Sequence, residues 1–182
     1  RGSSMSKSVR EDWSRKIFDR LVAEGVELFG YVPDAGNKAI IEMAEESNAT
    51  RPILLTSEEE GIAICAGADL VEKKAVVCMQ SSGVGNCPNF LALIDGAKFP
   101  LLMIVTMRGD YGEQNPWQYP MGQAVEPVLE AMGVRCIRVE TNVDLGDALE
   151  AAIGGVFKAG QAIALILSQR FLGAKPFGGG VN

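Results

Sequence analysis

Apolar residues in this chain fall into short unbroken runs, separated by longer stretches in which they recur every three or four positions. The runs Val26–Val32, Pro52–Leu55, Ala75–Met79, Leu101–Thr106, Arg135–Val139 and Ala162–Leu167 predict six strands. The periodic stretches predict helices. The first covers residues 7–24, with Trp13, Ile17, Phe18 and Leu21 on one stripe; Asn37–Glu46, about Glu58–Val71, Gly85–Ala97, about Ala124–Met132 and Leu145–Lys158 follow. Strands that are apolar on both faces and alternate with helices mark a parallel sheet covered on both sides. The expected fold is a three-layer α/β/α sandwich with a six-stranded parallel sheet, one domain over residues 5–172. Arg1 to Ser4, ahead of Met5, read as an expression-tag remnant, and the Gly-rich segment 173–182 as a loose tail or one draped on a partner.

Composition narrows the function. A chain of 182 residues, 47% of them hydrophobic, suffices for one full core. A formal charge of -6 and a pI near 4.8 argue against a nucleic-acid or anionic-membrane surface. No apolar run approaches the roughly 20 residues of a membrane span, and no leader resembles a signal peptide. Cys65, Cys78, Cys87 and Cys136 form no C-x-x-C pair, and they read as reduced, mostly buried thiols in a cytoplasmic protein. The chain has no histidine, so any acid–base chemistry must use carboxylates, a cofactor or another chain.

The stretch from Thr56 to Asn86 concentrates the candidate chemistry. Glu58, Glu59 and Glu60 open a helix, where Thr56 with Glu59 or Ser57 with Glu60 fits a capping box and carboxylates favour the positive end of the dipole. The helix that follows carries Gly61, Ala63, Cys65, Ala66, Gly67 and Ala68. Each interior glycine costs roughly 1 kcal/mol relative to alanine, which points to another surface at very close range. A carboxylate buried at such an interface would have its pKa raised and could share a proton with a ligand nitrogen.

Gln80-Ser81-Ser82-Gly83-Val84-Gly85-Asn86 follows a strand and matches neither a dinucleotide-binding nor a P-loop fingerprint. It reads either as a tight turn with glycines at positive φ or as backbone approaching a flat ligand. Pro33-Asp34-Ala35-Gly36-Asn37 is an ordinary turn and helix cap taken alone. Arg108 starts a polar, aromatic loop with Trp117, Gln118 and Tyr119. It is suited either to gripping an anionic substrate or to a salt bridge with Asp110 or Glu113.

Taken together, these blocks resemble the pyrimidine-binding domain of thiamine diphosphate enzymes, in particular the subfamily that decarboxylates sulfopyruvate and phosphonopyruvate. The pieces are Val32-Pro33-Asp34, Glu58-Glu59-Glu60-Gly61 with Cys65-Ala66-Gly67, Met79 to Asn86, and Arg108-Gly109 with Pro120-Met121-Gly122, across roughly residues 26–140. In that family a glutamate nine positions before the helix glycine hydrogen-bonds N1′ of the cofactor's aminopyrimidine. Counting back from Gly67 gives Glu58, with Glu59 or Glu60 taking the role if the helix starts differently.

The resemblance implies that Gln80, Ser82 and Gly83 line the pyrimidine pocket. Asp34 would face substrate with Asn37 in support, and Arg108 would meet a sulfonate or phosphonate. The family holds Mg²⁺ and the diphosphate through Gly-Asp-Gly and a downstream Asn on a second domain. That arrangement is missing here, and Arg108-Gly109-Asp110-Tyr111-Gly112 is only a false echo of it. The implied partner is therefore a β subunit carrying Mg²⁺ and the diphosphate site, in a hetero-oligomer acting on a small 2-oxo acid, most simply sulfopyruvate. The loop Asn115-Pro116-Trp117-Gln118-Tyr119 departs from the phosphonopyruvate pattern. Competing readings are a non-catalytic partner module of the same fold and a Rossmann or flavodoxin-like nucleotide binder, which lacks its phosphate fingerprint.

Overall fold

The computed structural model describes residues 4–173, with side chains from Trp13 onward. The tail 174–182 and residues 1–3 lie outside the described residues. Helix α1 (Ser4–Ala23) leads into β1 (Val26–Tyr31), α2 (Lys38–Glu46), β2 (Arg51–Leu54), α3 (Glu58–Leu70) and β3 (Lys74–Gln80). A short helical turn α4 (Ser81–Val84) precedes α5 (Pro88–Ala97), β4 (Leu101–Thr106), α6 (Tyr119–Ala131), β5 (Arg135–Val139), α7 (Asp144–Phe157), β6 (Ala162–Leu167) and α8 (Gln169–Leu172).

All six strands pair in parallel in the order β2-β1-β3-β4-β6-β5. Alternation along the central strands divides the core. Val76 and Cys78 of β3 join Phe29, Leu102, Ile104, Ile163 and Leu165 beneath α1, α2 and α7, where Ile17, Leu21, Ile40, Leu149 and Ile153 are buried. Val77 and Met79 face the other way, with Met103, Val105 and Ile166, against Ile62, Cys65, Leu91, Val125 and Leu129 of α3, α5 and α6. The three-layer architecture follows directly. Because the chain leaves β1 toward β2 and returns across it to β3, loops diverge at the β1/β3 boundary. Crevices at such switch points are where ligands bind in open α/β sheets.

Four local expectations change. Helix α1 begins at Ser4, inside the segment set apart as a remnant. The predicted helix 85–97 is split, since 81–84 already turn helically and Pro88 then starts α5. Neither Gly83 nor Gly85 has positive φ. Helix α6 begins at Tyr119 rather than near Ala124, because Pro120 falls in its first turn, where a missing N–H costs nothing.

Close approach does explain one of the two glycines of α3. A Cβ on Gly61 would lie 2.4 Å from Val77 Cγ2 and 3.0 Å from Leu55 Cδ1, so the nearby surface is the chain's own sheet. Gly67 is different: nothing lies within 4 Å of its would-be Cβ. Gly61→Ala should therefore lower stability by about 1–3 kcal/mol through overpacking. Gly67→Ala should raise it by up to about 1 kcal/mol through helix propensity. Urea unfolding midpoints of the two variants test this, and shifts of the same sign would contradict it.

Candidate active site at the carboxyl edge

The end of β1 is built around a turn. Asp34 Oδ1 accepts from the backbone N–H of Gly36 (2.6 Å) and Asn37 (2.9 Å), and Oδ2 accepts from Asn37 Nδ2 (3.0 Å). Asn37 is the residue before α2, but its side chain does not cap the helix. It is buried, and Nδ2 also donates to Met79 O and Thr106 Oγ1, each at 3.2 Å, tying the turn to the ends of β3 and β4. Asn37 Oδ1 is buried with no partner among the described residues. A cleft of about 480 Å³ opens beside this turn, lined in part by Tyr31, Pro33, Asp34, Asn37 and Ile41.

The three glutamates at the start of α3 separate cleanly. Ser57 Oγ donates to Glu59, holding that carboxyl below its usual range, and Glu60 accepts from Thr56 N at 2.7 Å. Neither predicted capping box forms, because Ser57 makes no cap hydrogen bond. Glu58 alone turns to the Gly-rich segment. Its Oε2 accepts from Asn86 Nδ2 at 2.8 Å, and a Cβ on Gly83 would stand 2.4 Å from its Oε1. The space a side chain would fill at Gly83 is thus taken by the Glu58 carboxylate. Gln80 Nε2 donates to Ser82 Oγ (2.9 Å) and reaches Gln118 Oε1 at 3.5 Å, which brings the β4–α6 loop onto the same edge.

Arg108 follows β4 and is locked to β3's end by Ser81. Ser81 Oγ donates to Arg108 O at 3.1 Å and accepts from Arg108 N at 3.0 Å. Its guanidinium pairs in bidentate fashion with Glu113, Nε at 2.5 Å and Nη2 at 2.8 Å, whereas Asp110 pairs with Arg138. Glu113 also accepts from the N–H groups of Gln114 (3.0 Å) and Asn115 (2.9 Å) and from Gln169 Nε2 (2.8 Å). The Arg108 charge beside it holds its carboxyl well below the ordinary range, against the opposing effect of burial. Glu113, Asn86 and Gln118 were not singled out as site residues from the sequence. For Glu113 no local motif marks a carboxylate that folds its own loop.

The sheet order, the glutamate laid over a glycine at one strand-to-helix turn and the polar loops around it define a domain of the thiamine-diphosphate-enzyme class. The chain belongs to the family described as thiamine pyrophosphate enzyme, N-terminal TPP binding domain, which it matches over residues 12–127. It is 33% identical over 154 residues to sulfopyruvate decarboxylase subunit alpha of Methanocaldococcus jannaschii, covering 84% of this chain and 91% of that one. The same-named subunit of Methanococcus maripaludis is 34% identical over 122 residues, 66% of this chain and 73% of its own. Phosphonopyruvate decarboxylase of Streptomyces viridochromogenes is 33% identical over 112 residues, 60% of this chain but 28% of that protein. Among solved structures, 2-oxoglutarate:ferredoxin oxidoreductase from Magnetococcus marinus superposes with a TM-score of 0.64 over 86% of this chain and 28% of its own, at 16% identity, a likeness of fold.

Because Glu113 has a depressed folded-state pKa, its stabilisation is fully present above the unfolded value of about 4.3 and is lost as pH falls through the folded one. Glu113→Gln should cost roughly 2–3 kcal/mol at pH 7, somewhat less than breaking a fully buried pair. The stability difference from the natural chain should shrink toward pH 3. Parallel stability–pH curves in urea unfolding would contradict this account.

Proposed function

We propose that this chain is the α subunit of a two-chain, thiamine-diphosphate-dependent decarboxylase converting sulfopyruvate to sulfoacetaldehyde and carbon dioxide. The observation that carries the reading is Glu58: half-buried at the carboxyl edge, with Oε2 held by Asn86 and Oε1 without a hydrogen-bond donor among the described residues. That arrangement fits a ligand presenting a donor at a ring nitrogen. Thiamine diphosphate would supply, when bound, a nucleophilic thiazolium carbon to add to the 2-oxo group and a cationic ring to take up the electron pair as carbon dioxide leaves. Glu58 holds the proton at the aminopyrimidine N1′. Gln80 and Ser82, already bonded to each other, offer polar groups to the same ring beside Gly83. Asp34 and Asn37 form the substrate side, where the unpartnered Asn37 Oδ1 is a ready acceptor. Arg108, steadied through Nε and Nη2, presents Nη1 to the sulfonate.

The partner reading rests on two observations. The Methanocaldococcus and Methanococcus relatives are named as alpha subunits. In addition, the outer face of α3 and α5 carries small or apolar groups: Ala63, Gly67, Leu70 (86% exposed), Phe90 and Leu93. Glu59 starts that stripe, while Glu58 turns toward Gly83 and Asn86 at the same end of α3, so a β subunit seated on the face and reaching over the helix start would cover the carboxylate while contributing Mg²⁺ and the diphosphate site. The Streptomyces relative, named for phosphonopyruvate, makes that acid the alternative substrate.

Carbon dioxide release should require this chain, the β chain, thiamine diphosphate and Mg²⁺ together, with sulfopyruvate preferred over phosphonopyruvate. Glu58→Gln should lower turnover by about 100-fold or more with an unchanged unfolding midpoint. Full activity in that variant would remove Glu58 from the mechanism. Gly67→Ala should weaken assembly with the β chain in sedimentation, although it stabilises this chain alone.

A further inference from the structure

Asn86 has one side-chain hydrogen bond among the described residues, and it goes to the carboxylate proposed to activate the cofactor. We infer that Asn86 is a positioning residue, which together with the bare face of Gly83 fixes the rotamer of Glu58. This deepens the function proposed above and rests on it.

A glutamate at the first position of a helix has three rotatable bonds and a solvent-facing choice of orientations, and ordering such a side chain costs up to about 2 kcal/mol. Two contacts remove that freedom. Asn86 Nδ2 grips Oε2 at 2.8 Å, while the Glu58 side chain crosses the Cα of Gly83 so closely that a methyl there would meet Cγ, Cδ and Oε1 at 2.4–2.5 Å. The two contacts come from one rigid piece. Asn86 N donates to Gly83 O at 3.0 Å and Cys87 N to Val84 O at 3.0 Å, while the buried Ser81 anchors α4 to Arg108. Asn86 therefore does not swing independently of Gly83. A neutral amide donor on Oε2 leaves Oε1 without a hydrogen-bond donor among the described residues. An Arg or Lys at position 86 would make a tighter pair and compete with the cofactor. The amide holds without competing.

The side chain of Asn86 is exposed and makes no other hydrogen bond among the described residues, so it can be changed without dismantling the core. The test uses the assembled two-chain protein and reads thiamine diphosphate affinity by calorimetry. Asn86→Ala should weaken binding by about tenfold, the worth of one hydrogen bond to a charged group. Asn86→Asp, of the same shape but with a like charge facing Glu58, should weaken it further. The KM for the 2-oxo acid should hold while kcat falls, and urea midpoints should match the natural chain. In a Glu58→Ala background, which removes the acceptor as well as the charge, Asn86→Ala should change affinity by less than about twofold, because a residue acting only through Glu58 has nothing left to act on. If both Asn86 variants bind cofactor normally while Glu58→Gln does not, Asn86 is not a positioning residue and the Glu58 assignment stands. Normal binding by Glu58→Gln as well would overturn both. Fully additive losses in the double variant would also overturn the inference.

Discussion

The buried amide of Asn37 holds the working edge of this molecule together. The ladder of a parallel sheet stops at the strand ends, so the loops beyond it depend on side-chain hydrogen bonds for their common register. One nitrogen, Asn37 Nδ2, answers to three strand ends: Asp34 after β1, Met79 O at the end of β3 and Thr106 at the end of β4. Turning the amide over would set its oxygen against those acceptors, so the orientation is forced. The consequence is a buried oxygen without a partner among the described residues, a deficit worth about 1–3 kcal/mol in a closed interior. Such a deficit at a strand-end crevice, rather than in the core, is what a ligand or water site produces.

From that knot the other edge residues take their places by contact at the chain's barest positions. A Cβ at Gly36 would stand 2.4 Å from Thr106 Oγ1, and one at Gly122 would stand 2.4 Å from the carbonyl oxygens of Arg108 and Gly109. Gly83 does the same for Glu58. Distances between loops are thereby set by backbone, which has fewer ways to relax than a side chain. The Arg108–Glu113 pair then stiffens the remaining long loop from within, leaving Trp117 at its tip 87% exposed.

Much of this was legible in the chain, for a plain reason. Buried strands such as Leu101–Thr106 and Ala162–Leu167 must be apolar on both faces, and the helices between them must be apolar on one, so sheet and layers are written in the period of the residues. Glu58 could be singled out by counting back from Gly67 only through family resemblance, since three adjacent glutamates share the same composition and differ only in direction. Structure separates them by what each can reach: Ser57 for Glu59, Thr56 N–H for Glu60, Asn86 for Glu58. Local pattern failed where a residue's role depends on distant partners. Gly61 answers to Val77 rather than to a foreign surface, and Pro120-Met121-Gly122 reads as a loop until the helix that needs Pro in its first turn is seen. From the residues alone, the Gly-rich segment 81–86 reads equally as a turn with glycines at positive φ or as backbone approaching a flat ligand. In fact they are helical, and they are glycine because of what lies against them.

The four thiols have a further consequence. Cys65, Cys78 and Cys87 are buried, Cys136 partly so, and none is disulfide-bonded. Burial pushes Cys65, Cys87 and Cys136 up to about 12 and Cys78 higher still. Thiolate is the reactive form, so burial slows the reaction of Cys65, Cys78 and Cys87 with alkylating reagents, while an opened layer exposes ordinary sulfhydryls. The two layers carry separate reporters: Cys78 lies beneath α1, α2 and α7, and Cys65 and Cys87 beneath α3, α5 and α6. The sulfur atoms thus form a built-in clock for breathing motions, with each side of the sheet keeping its own time.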